Sequence, residues 1–496
     1  MRAKCTIWIG LCALVACSHA TSKKAPTDTS EPTTPRTPTP GDPSGGAPSG
    51  SGSGGGSASG SSGGSSSGGP SDPGDTGVPY VDFDINHIVS TGQSNSVSHG
   101  GIPPLSMTQP YANLSFDVGV MTMQDCEDKG CRTYQQPSTF VPLVEGDSFW
   151  WPVETMSNGL ADEATKLAHE KYGMARHDIL VSLAGRNGLT YWCLRKGTCN
   201  FVDPAYLVSY DETMKQVADA KRIAAAMGKS YVVRVATAIH GESDDFGYAQ
   251  GTPEFPLDGT DGVSKEDKTY ADGVLEWQRD LEAGIRAITG QSQPIPLLIS
   301  QFSGWNDAPT SAVSIYQYEA HVRSNGKVVL VAPGYMLDWA SDCRHYSSDG
   351  ERRLGEYFAK VYARIVIEGK KWEPVRPKSV TLSGTTITAQ YWVPAPPLVL
   401  DTTRVVDPGD YGFEVVSASG ARIPITNVSV TAPDTVTIQV ASAGAARLRY
   451  AFTHPPMTCT GHVVGARGNL RDSDATPSQY GYELFNWGVH FDLPVQ

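Results

Sequence analysis

The sequence predicts an α/β fold, with a parallel flavodoxin-like sheet of about five strands and helices on both faces, followed by a smaller antiparallel β-sandwich domain. Apolar runs alternate with helical patterns from residue 81 to 372. After Trp372 the runs become short, alternate between apolar and polar residues, and are separated by Gly, Pro and Asp turns. A chain of 496 residues is also long enough for two folded units. We therefore expect one domain over 81–372 and a second, with a loop-rich tail, over 373–496.

The predicted parallel strands are short runs that are apolar on both faces, which is typical of strands covered by helices on each side. They are INHIVS, DILVSLA, YVVRVATAI, IPLLIS and KVVLVAP. The carboxyl ends of such strands lie at one edge of the sheet, where binding and catalytic sites collect. Polar residues just after each strand are therefore the first functional candidates.

Amphipathic stretches between these strands predict the covering helices. They lie near 159–173, 205–227, 268–289 and 311–324. The run ERRLGEYFAKVYARIVIEG follows the last strand and has a helical apolar stripe. At its start, Ser348 and Glu351 have the spacing of a capping box.

Residues 1–17 have the features of a lipoprotein signal peptide. Arg2 and Lys4 supply positive charge, TIWIGLCALVA supplies a short apolar core, and LVAC at 14–17 resembles a bacterial lipobox. The lipobox implies lipidation of Cys17, and Ser18 after it implies the outer membrane. The alternatives are an ordinary secretory signal or an uncleaved anchor, although the apolar run is short for a membrane span. We expect export and a lipid anchor in the bacterial cell envelope.

Residues 18–80 are composed mainly of Ser, Thr, Pro and Gly. Such a segment buries too little apolar surface to offset the entropy of ordering it. The segment is therefore predicted to be a disordered tether, and membrane contact is expected through the lipid anchor alone. The formal net charge of −13 argues against a nucleic-acid partner, because no basic face is available to neutralise phosphates.

The cysteine content predicts disulfide bonds. Nine cysteines, less Cys5 and Cys12 in the signal and the lipidated Cys17, leave six, an even number in an exported protein. The candidates are Cys126 with Cys131, Cys193 with Cys199, and Cys343 with Cys459. The last bond would tie the two folded parts together. Zinc is the less favoured alternative because no C-x-x-C pair occurs.

Polar groups follow four of the predicted strands. The first strand ends in Gly92-Gln93-Ser94-Asn95, and the second in AGRNGLTYW, with Gly185 and Gly188. HGESDD at 240–245 follows the third, and DCRHYSSDG, with Asp342 and His345, follows the fifth. One fold would bring all four segments to the same edge.

These residue types suit acyl transfer. A serine nucleophile needs a base, the base needs an orienting acid, and the tetrahedral oxyanion needs N–H donors. Asp342 and His345 are three residues apart and can face Ser94 from one loop. No G-x-S-x-G elbow occurs at Ser94 or after any other predicted strand, which argues against the usual α/β-hydrolase arrangement.

At these residues the sequence resembles the SGNH (GDSL-like) hydrolases over about 81–372. GQSN, HGESD and DCRHYSSDG are most similar to the branch that holds sialate O-acetylesterases and acetyl-xylan esterases of carbohydrate esterase family six. The resemblance implies that Ser94 is the nucleophile, His345 the base and Asp342 the orienting acid. A glycine, Gly188 or Gly185, would bind the oxyanion through its N–H.

The motifs depart from the family pattern in two places. His240 stands where the family usually has glutamine, so an oxyanion role there requires the imidazole to donate as a neutral ring. Glu242 matches a family glutamate that competes with Asp342 for the base. GWND resembles the superfamily's oxyanion asparagine motif, but it follows the fourth strand, and we interpret Asn306 as a pocket-wall residue.

The combined pattern predicts a serine esterase that hydrolyses acetyl esters on an extracellular carbohydrate through an acyl-enzyme, without metal or cofactor. Gln93 and Asn95 beside the nucleophile are predicted to bind substrate. The alternative is a tethered carbohydrate-binding or adhesion lipoprotein with a decayed esterase site, for which the residue at position 240 is the motivation. For Asp244 and Asp245 the sequence favours a solvated acidic loop.

Overall fold

The computed structural model describes residues 72–123, 134–146, 152–197, 207–257, 267–304, 307–455 and 458–496. Residues 66–496 form one compact unit. Several features predicted from the sequence lie outside the described residues. They are the signal peptide with Cys17, most of the tether, Cys126, Cys131, Cys199 and Asn306.

The first sheet has seven strands in the order β3-β2-β4-β1-β5-β6-β7. Their bounds are β1 Ile85–Gly92, β2 Leu114–Phe116, β3 Phe140–Pro142, β4 Ile179–Gly185, β5 Tyr231–Ile239, β6 Leu297–Gln301 and β7 Val328–Pro333. All neighbours are parallel except β3 against β2. The predicted parallel sheet is confirmed, and its five long strands have the flavodoxin-like order. Strands β2 and β3, of three residues each, are too short for their periodicity to be seen in the sequence.

Helices cover this sheet, as predicted. Their bounds are α1 Met156–Glu170, α2 Tyr191–Leu194, α3 Ser209–Ala226, α4 Glu242–Ala249, α5 Tyr270–Thr289, α6 Ala312–Ser324 and α7 Ser348–Tyr362. Helix α1 packs against α7, while α5 packs against both α3 and α6. The strands between them are buried throughout, which explains why their sequences are apolar on both faces.

The start of α7 differs from the prediction by one residue. Its N-cap is Ser347, whose side chain accepts a hydrogen bond from the Gly350 N–H. Ser348 instead donates from its hydroxyl to the Pro103 carbonyl, at 2.6 Å. Glu351 does not close a capping box but is fully buried.

The C-terminal part consists of small antiparallel sheets, as predicted. Their strands are β8 Arg376–Ser383, β9 Thr386–Trp392, β10 Val399–Leu400, β11 Phe413–Ser417, β12 Ile425–Ala432, β13 Thr435–Val440, β14 Ala445–Tyr450, β15 Leu470–Arg471 and β16 Phe491–Pro494. The sheet orders are β12-β13-β9-β8, β11-β14-β16 and β10-β15. The tail after Cys459, predicted as loop-rich, contributes β15 and β16.

Hydrogen bonds join the C-terminal part to the parallel sheet. The Gln301 side chain donates to the His490 carbonyl at 2.9 Å and accepts from the His490 N–H at 2.8 Å. Part of the predicted tether is also packed, because the Thr76 N–H donates to the Gly369 carbonyl at 2.7 Å. The domain boundaries themselves remain a prediction. Across the described ranges, the structure has no helix with the length and apolar character of a membrane span.

Candidate active site

Ser94 lies in a tight turn directly after β1. Gly92 has a φ of +136°, and a Cβ there would lie 2.0 Å from the Ile239 carbonyl oxygen, so only glycine fits. The Gln93 N–H donates to that same carbonyl at 3.1 Å, which ties the turn to the end of β5. Ser94 is 9 % exposed. The nucleophile candidate is thus held at the sheet edge by backbone contacts.

Asp342 and His345 form a hydrogen-bonded pair on the loop before α7. Asp342 Oδ2 lies 2.6 Å from His345 Nδ1, and Asp342 Oδ1 accepts the N–H groups of Arg344 and His345. Burial raises the pKa of the Asp342 carboxyl, but these hydrogen bonds outweigh it and hold the pKa below its ordinary value. A carboxylate on Nδ1 leaves Nε2 as the ring nitrogen available to act as a base.

Asn95 connects the nucleophile turn to the base. Its Oδ1 accepts the Tyr346 N–H at 3.0 Å, and its Nδ2 donates to the Arg344 carbonyl at 3.3 Å. These backbone groups flank His345 on both sides. Because Asn95 is adjacent to Ser94, this bracket holds the imidazole beside the serine turn. Among the described residues Ser94 and His345 share no direct hydrogen bond, and catalytic hydrogen bonds often form only with substrate present.

Glu242 binds Asn95 and not the base. It is the first residue of α4, and its Oε1 accepts from Asn95 Nδ2 at 2.5 Å. Its other oxygen, Oε2, is buried without a hydrogen-bond partner among the described residues. Burial raises the pKa of the Glu242 carboxyl, although the hydrogen bond from Asn95 opposes the shift. Of the two acids left open by the sequence, Asp342 is the one that contacts His345.

His99 is a site residue that sequence reasoning missed. Its ring centroid lies 4.6 Å from that of His345. Burial lowers the pKa of His99, and the neighbouring His345 lowers it further. A second imidazole beside the base disfavours two positive charges at once. His99 follows a Ser- and Gly-rich run that is typical of a turn, and no sequence pattern relates it to His345, which is distant in the chain.

The turn after β4 packs on the nucleophile turn. Gly185 is paired with Gly92, and the Arg186 N–H donates to the Gly92 carbonyl at 2.9 Å. Gly188 is exposed, with a φ of +65°. Between them Asn187 has both amide atoms, Oδ1 and Nδ2, buried without a hydrogen-bond partner among the described residues. The sequence analysis missed Asn187 because Asn before Gly is the ordinary composition of a turn.

His240 is a buried residue whose ring nitrogens are both engaged. Nδ1 lies 2.7 Å from the Tyr270 hydroxyl, and Nε2 lies 3.2 Å from the Leu189 carbonyl. The ring also stacks on Tyr270 and meets Trp277 edge-on. Burial lowers the pKa of His240 to about 4, so the ring is neutral at pH 7. Donation from His240 to an oxyanion would require one of these hydrogen bonds to break.

The rest of the HGESDD segment connects the site to the interior. The Gln93 side-chain oxygen accepts the Ser243 N–H at 3.2 Å, so Gln93 braces the nucleophile turn against α4. The interpretation of Asp244 and Asp245 as a solvated loop is wrong, because each is only 4 % exposed. Asp244 accepts the Tyr191 N–H at 2.9 Å, and burial raises the pKa of Asp245 to about 7.

The structure contains the predicted disulfide between Cys343 and Cys459, with an S–S distance of 1.99 Å and a sequence separation of 116. Cys193 is buried and disulfide-bonded, but its predicted partner Cys199 lies outside the described residues. The bond between Cys126 and Cys131 remains a prediction for the same reason. Over the part of the chain that the structure describes, no group of three His, Cys, Asp or Glu side chains is arranged to bind a metal.

No protein-family profile and no curated protein sequence matches the chain. Among solved structures, a carbohydrate acetylesterase from Xanthomonas citri matches 82 % of this chain and 80 % of its own, at 14 % identity and a TM-score of 0.51. The two chains share a fold. NanS matches 58 % of this chain and 99 % of its own, at 14 % identity and a TM-score of 0.36. The aryl esterase of M. smegmatis matches 55 % and 97 %, at 11 % identity and a TM-score of 0.30. The last two scores are too low to support an argument.

Proposed function

We propose that this protein is a serine esterase that removes acetyl groups from an extracellular carbohydrate. The observation that carries the proposal is the Asp342–His345 pair, bracketed against the Ser94 turn by Asn95. A serine, an imidazole and an orienting carboxylate are the parts that acyl transfer requires. The shared fold with a carbohydrate acetylesterase supports the reaction class.

The proposed reaction has two halves. Ser94 Oγ attacks the acetyl carbonyl while His345 Nε2 takes the hydroxyl proton, and Asp342 stabilises the resulting imidazolium. The C–O bond to the sugar then breaks, and the sugar oxygen receives the proton from His345. In the second half His345 deprotonates a water, which attacks the acetyl-enzyme. Acetate leaves and the proton returns to Ser94 Oγ, so neither oxidant nor cofactor is consumed.

The oxyanion is proposed to be bound by N–H groups of two turns. The sequence indicates the turn of Gly185 and Gly188, and we add the Ser94 N–H and the Asn187 side-chain amide. This amide has no hydrogen-bond partner among the described residues and lies in the turn that packs on residue 92. A buried donor without a partner is costly unless a ligand satisfies it. His240 is a weaker candidate because its ring nitrogens are already engaged.

Replacement of Ser94 tests the proposal. We expect Ser94→Ala to lower the rate of acetate release by about 10⁴- to 10⁶-fold, as for other serine triads acting as a unit. The substrates are acetylated xylan, O-acetylated sialic acid and O-acetylated peptidoglycan. The matched control is Ser96→Ala in the same turn, whose hydroxyl donates to the Gln93 carbonyl at 2.7 Å. The control should remain within about tenfold of wild type.

The same assay separates the esterase from the binding alternative. Labelling of Ser94 by a fluorophosphonate, together with acetate release, supports the esterase. Glycan binding without acetate release from any of these substrates, and without labelling, would instead support a tethered carbohydrate-binding lipoprotein. Full activity in Ser94→Ala would contradict the proposed mechanism.

We also propose that the protein is exported and anchored in the cell envelope through lipid on Cys17. The support is the LVAC segment and the Ser/Thr/Pro/Gly composition of 18–80. Metabolic labelling with a radioactive fatty acid should mark the wild type and leave Cys17→Ala unlabelled. Equal labelling of the two would contradict the anchor.

A further inference from the structure

We propose that the C-terminal part is a working component of the active site, because it clamps the loop that carries Asp342 and His345. The clamp consists of the Cys343–Cys459 disulfide and the segment 459–465. The proposal rests on the proposed function and adds positioning residues to it. Cys343 lies directly after Asp342 and two residues before His345, so the disulfide attaches between the members of the acid–base pair.

The loop that carries the pair has few restraints of its own. It turns back on itself, with the Ala340 N–H donating to the His345 carbonyl at 2.7 Å and the Ser347 N–H to the Asp338 carbonyl at 3.0 Å. At its tip the Asp342 side chain is 44 % exposed. Cys343 has a φ of +63°, which is unusual for a residue other than glycine. An exposed loop tip is mobile unless contacts from outside the loop restrain it.

The C-terminal segment contacts this loop beside the disulfide. Gly461 lies so close to the Trp339 ring that an added Cβ would sit 3.2 Å from its Cδ1. Gly461 also has a φ of +144°, which disfavours any other residue there. One position further on, His462 Nδ1 lies 3.8 Å from Asp338 Oδ1. From Cys459 to His462 the segment therefore runs along the loop from Cys343 at its tip to Asp338 at its base.

The segment is in turn anchored to the C-terminal part. The Val406 N–H donates to the His462 carbonyl at 2.8 Å. Arg467 donates to the carbonyls of Gly465 and Val406, at 2.9 and 2.7 Å. The clamp is thus held on a folded support and not on a second loose loop.

The base is consequently restrained from two sides. Asn95 holds the backbone of Arg344 and Tyr346 from the inside, and the disulfide holds Cys343 from the outside. Catalysis by a general base depends on its placement to within fractions of an ångström, and small displacements cost about 10²-fold in rate. Opening the clamp should therefore lower kcat and leave KM for a small ester nearly unchanged.

The test is Cys459→Ser in the full chain, assayed with 4-nitrophenyl acetate. We expect kcat to fall at least about tenfold, with KM within about twofold of wild type. Dithiothreitol, which is oxidised to its cyclic disulfide as the protein bond becomes two thiols, should reduce wild-type kcat to a similar level. It should have no further effect on Cys459→Ser, which shows that other disulfides are not responsible.

Two further variants separate positioning from general destabilisation. Val436→Ala removes a fully buried side chain from β13 and should lower the melting temperature without changing kcat below it. Gly461→Ala keeps both cysteines but presses on Trp339, and it should lower kcat in the folded protein even if Cys459→Ser does not fold. Equal losses of kcat in Val436→Ala and Cys459→Ser would overturn the proposal.

The outcomes also distinguish the clamp from the proposed function. An inactive Ser94→Ala protein together with wild-type kcat in reduced wild type, Cys459→Ser and Gly461→Ala would overturn the clamp alone. Full activity in Ser94→Ala would overturn the proposed function, and the clamp with it.

Discussion

At the residue scale, the two candidate acids of the site bind different partners. Asp342 accepts from His345 Nδ1 at 2.6 Å, whereas Glu242 accepts from Asn95 at 2.5 Å. Asn95 in turn holds the backbone on both sides of His345. Glu242 therefore hydrogen-bonds to Asn95 and not to the base, and its place is that of a positioning residue. The separation follows from hydrogen-bond geometry that neither motif contains by itself.

This division predicts different effects for two amide substitutions. Asp342→Asn should lower kcat by about 10⁴-fold, because an amide in place of the orienting carboxylate favours the wrong imidazole tautomer. Glu242→Gln should stay within about tenfold of wild type, because the glutamine oxygen can still accept from Asn95. The measurement is kcat with 4-nitrophenyl acetate near pH 7. Asp349→Asn, an exposed carboxylate at the start of α7, is the matched control and should be neutral. A larger loss in Glu242→Gln than in Asp342→Asn would reverse the roles.

At the element scale, the contact between the start of α7 and the segment before α1 encloses several carboxyl groups. Glu351, in the first turn of α7, is fully buried, and neither of its oxygens has a hydrogen-bond partner among the described residues. Burial raises the pKa of Glu351 well above its ordinary value, and the nearby Glu145, Glu154 and Glu242 raise it further. Unlike Glu351, the Glu154 carboxylate has hydrogen-bond partners, because it accepts from the N–H groups of Leu105 and Ser106. The first turn of α7, which follows the loop that carries Asp342 and His345, thus contains a carboxyl group that favours its neutral form.

The pH dependence of stability follows from that shift. When the folded-state pKa of a carboxyl is raised, its stabilising contribution is complete below the unfolded pKa of about 4.3 and is lost as pH rises towards the folded pKa. Between these values the free energy of unfolding falls by up to about 1.4 kcal/mol per pH unit for one proton. Glu351→Gln removes the ionisable group, so the variant should gain stability relative to wild type as pH rises from 5 to 8.

Urea unfolding at a series of pH values measures this difference. Titrating groups far from Glu351 are common to both proteins and cancel in the comparison, so the difference reports Glu351 together with its neighbours Glu145, Glu154 and Glu242. Glu170 is exposed on α1, so the free energy of unfolding of Glu170→Gln should differ from that of wild type by the same amount at every pH. If the difference in free energy of unfolding between Glu351→Gln and wild type is also independent of pH, Glu351 is ionised in the folded state.

At the scale of the whole molecule, residues of the C-terminal part contact one face of α7. The Tyr357 hydroxyl donates to the Phe485 carbonyl at 2.8 Å, and Lys360 Nζ lies 2.7 Å from Asp474 Oδ2. Lys360 is only 7 % exposed, and its buried ammonium is stabilised by this carboxylate and by the Asn486 side-chain oxygen. Residues 66–496 accordingly form one compact unit even though the strand pattern changes after Trp372.

Truncation should therefore not yield an independently stable esterase domain. We expect residues 72–496 to unfold in one calorimetric transition. A chain that ends at Trp372 should lack a cooperative transition and bind a hydrophobic dye, because Lys360 and the apolar face of α7 lose their partners. Scanning calorimetry and near-ultraviolet circular dichroism are the measurements. A truncated chain with a melting temperature equal to that of 72–496 would contradict this expectation.

Much of the fold could be predicted because its signals are local. The long strands, the helices between them and the antiparallel C-terminal strands each follow from the periodicity of a short stretch. Strands β2 and β3 are too short for that signal. Asp244 and Asp245 were misread because charge pattern alone does not reveal partners such as the Tyr191 N–H and the Ser311 hydroxyl.

By itself, the sequence determined the order of the parallel strands, the polar residues at their ends, and the spacing that puts Asp342 on the same turn as His345. These depend on residues within a few positions of one another. The Cys343–Cys459 disulfide spans 116 positions, and it could be predicted because the even number of cysteines left these two for each other. Only the tertiary structure decided that Asp342 rather than Glu242 contacts the base and that Asn95 brackets it. The physical reason is chain separation. The Asn95–Tyr346 hydrogen bond joins residues 251 positions apart, so it leaves no periodic or local trace in the sequence.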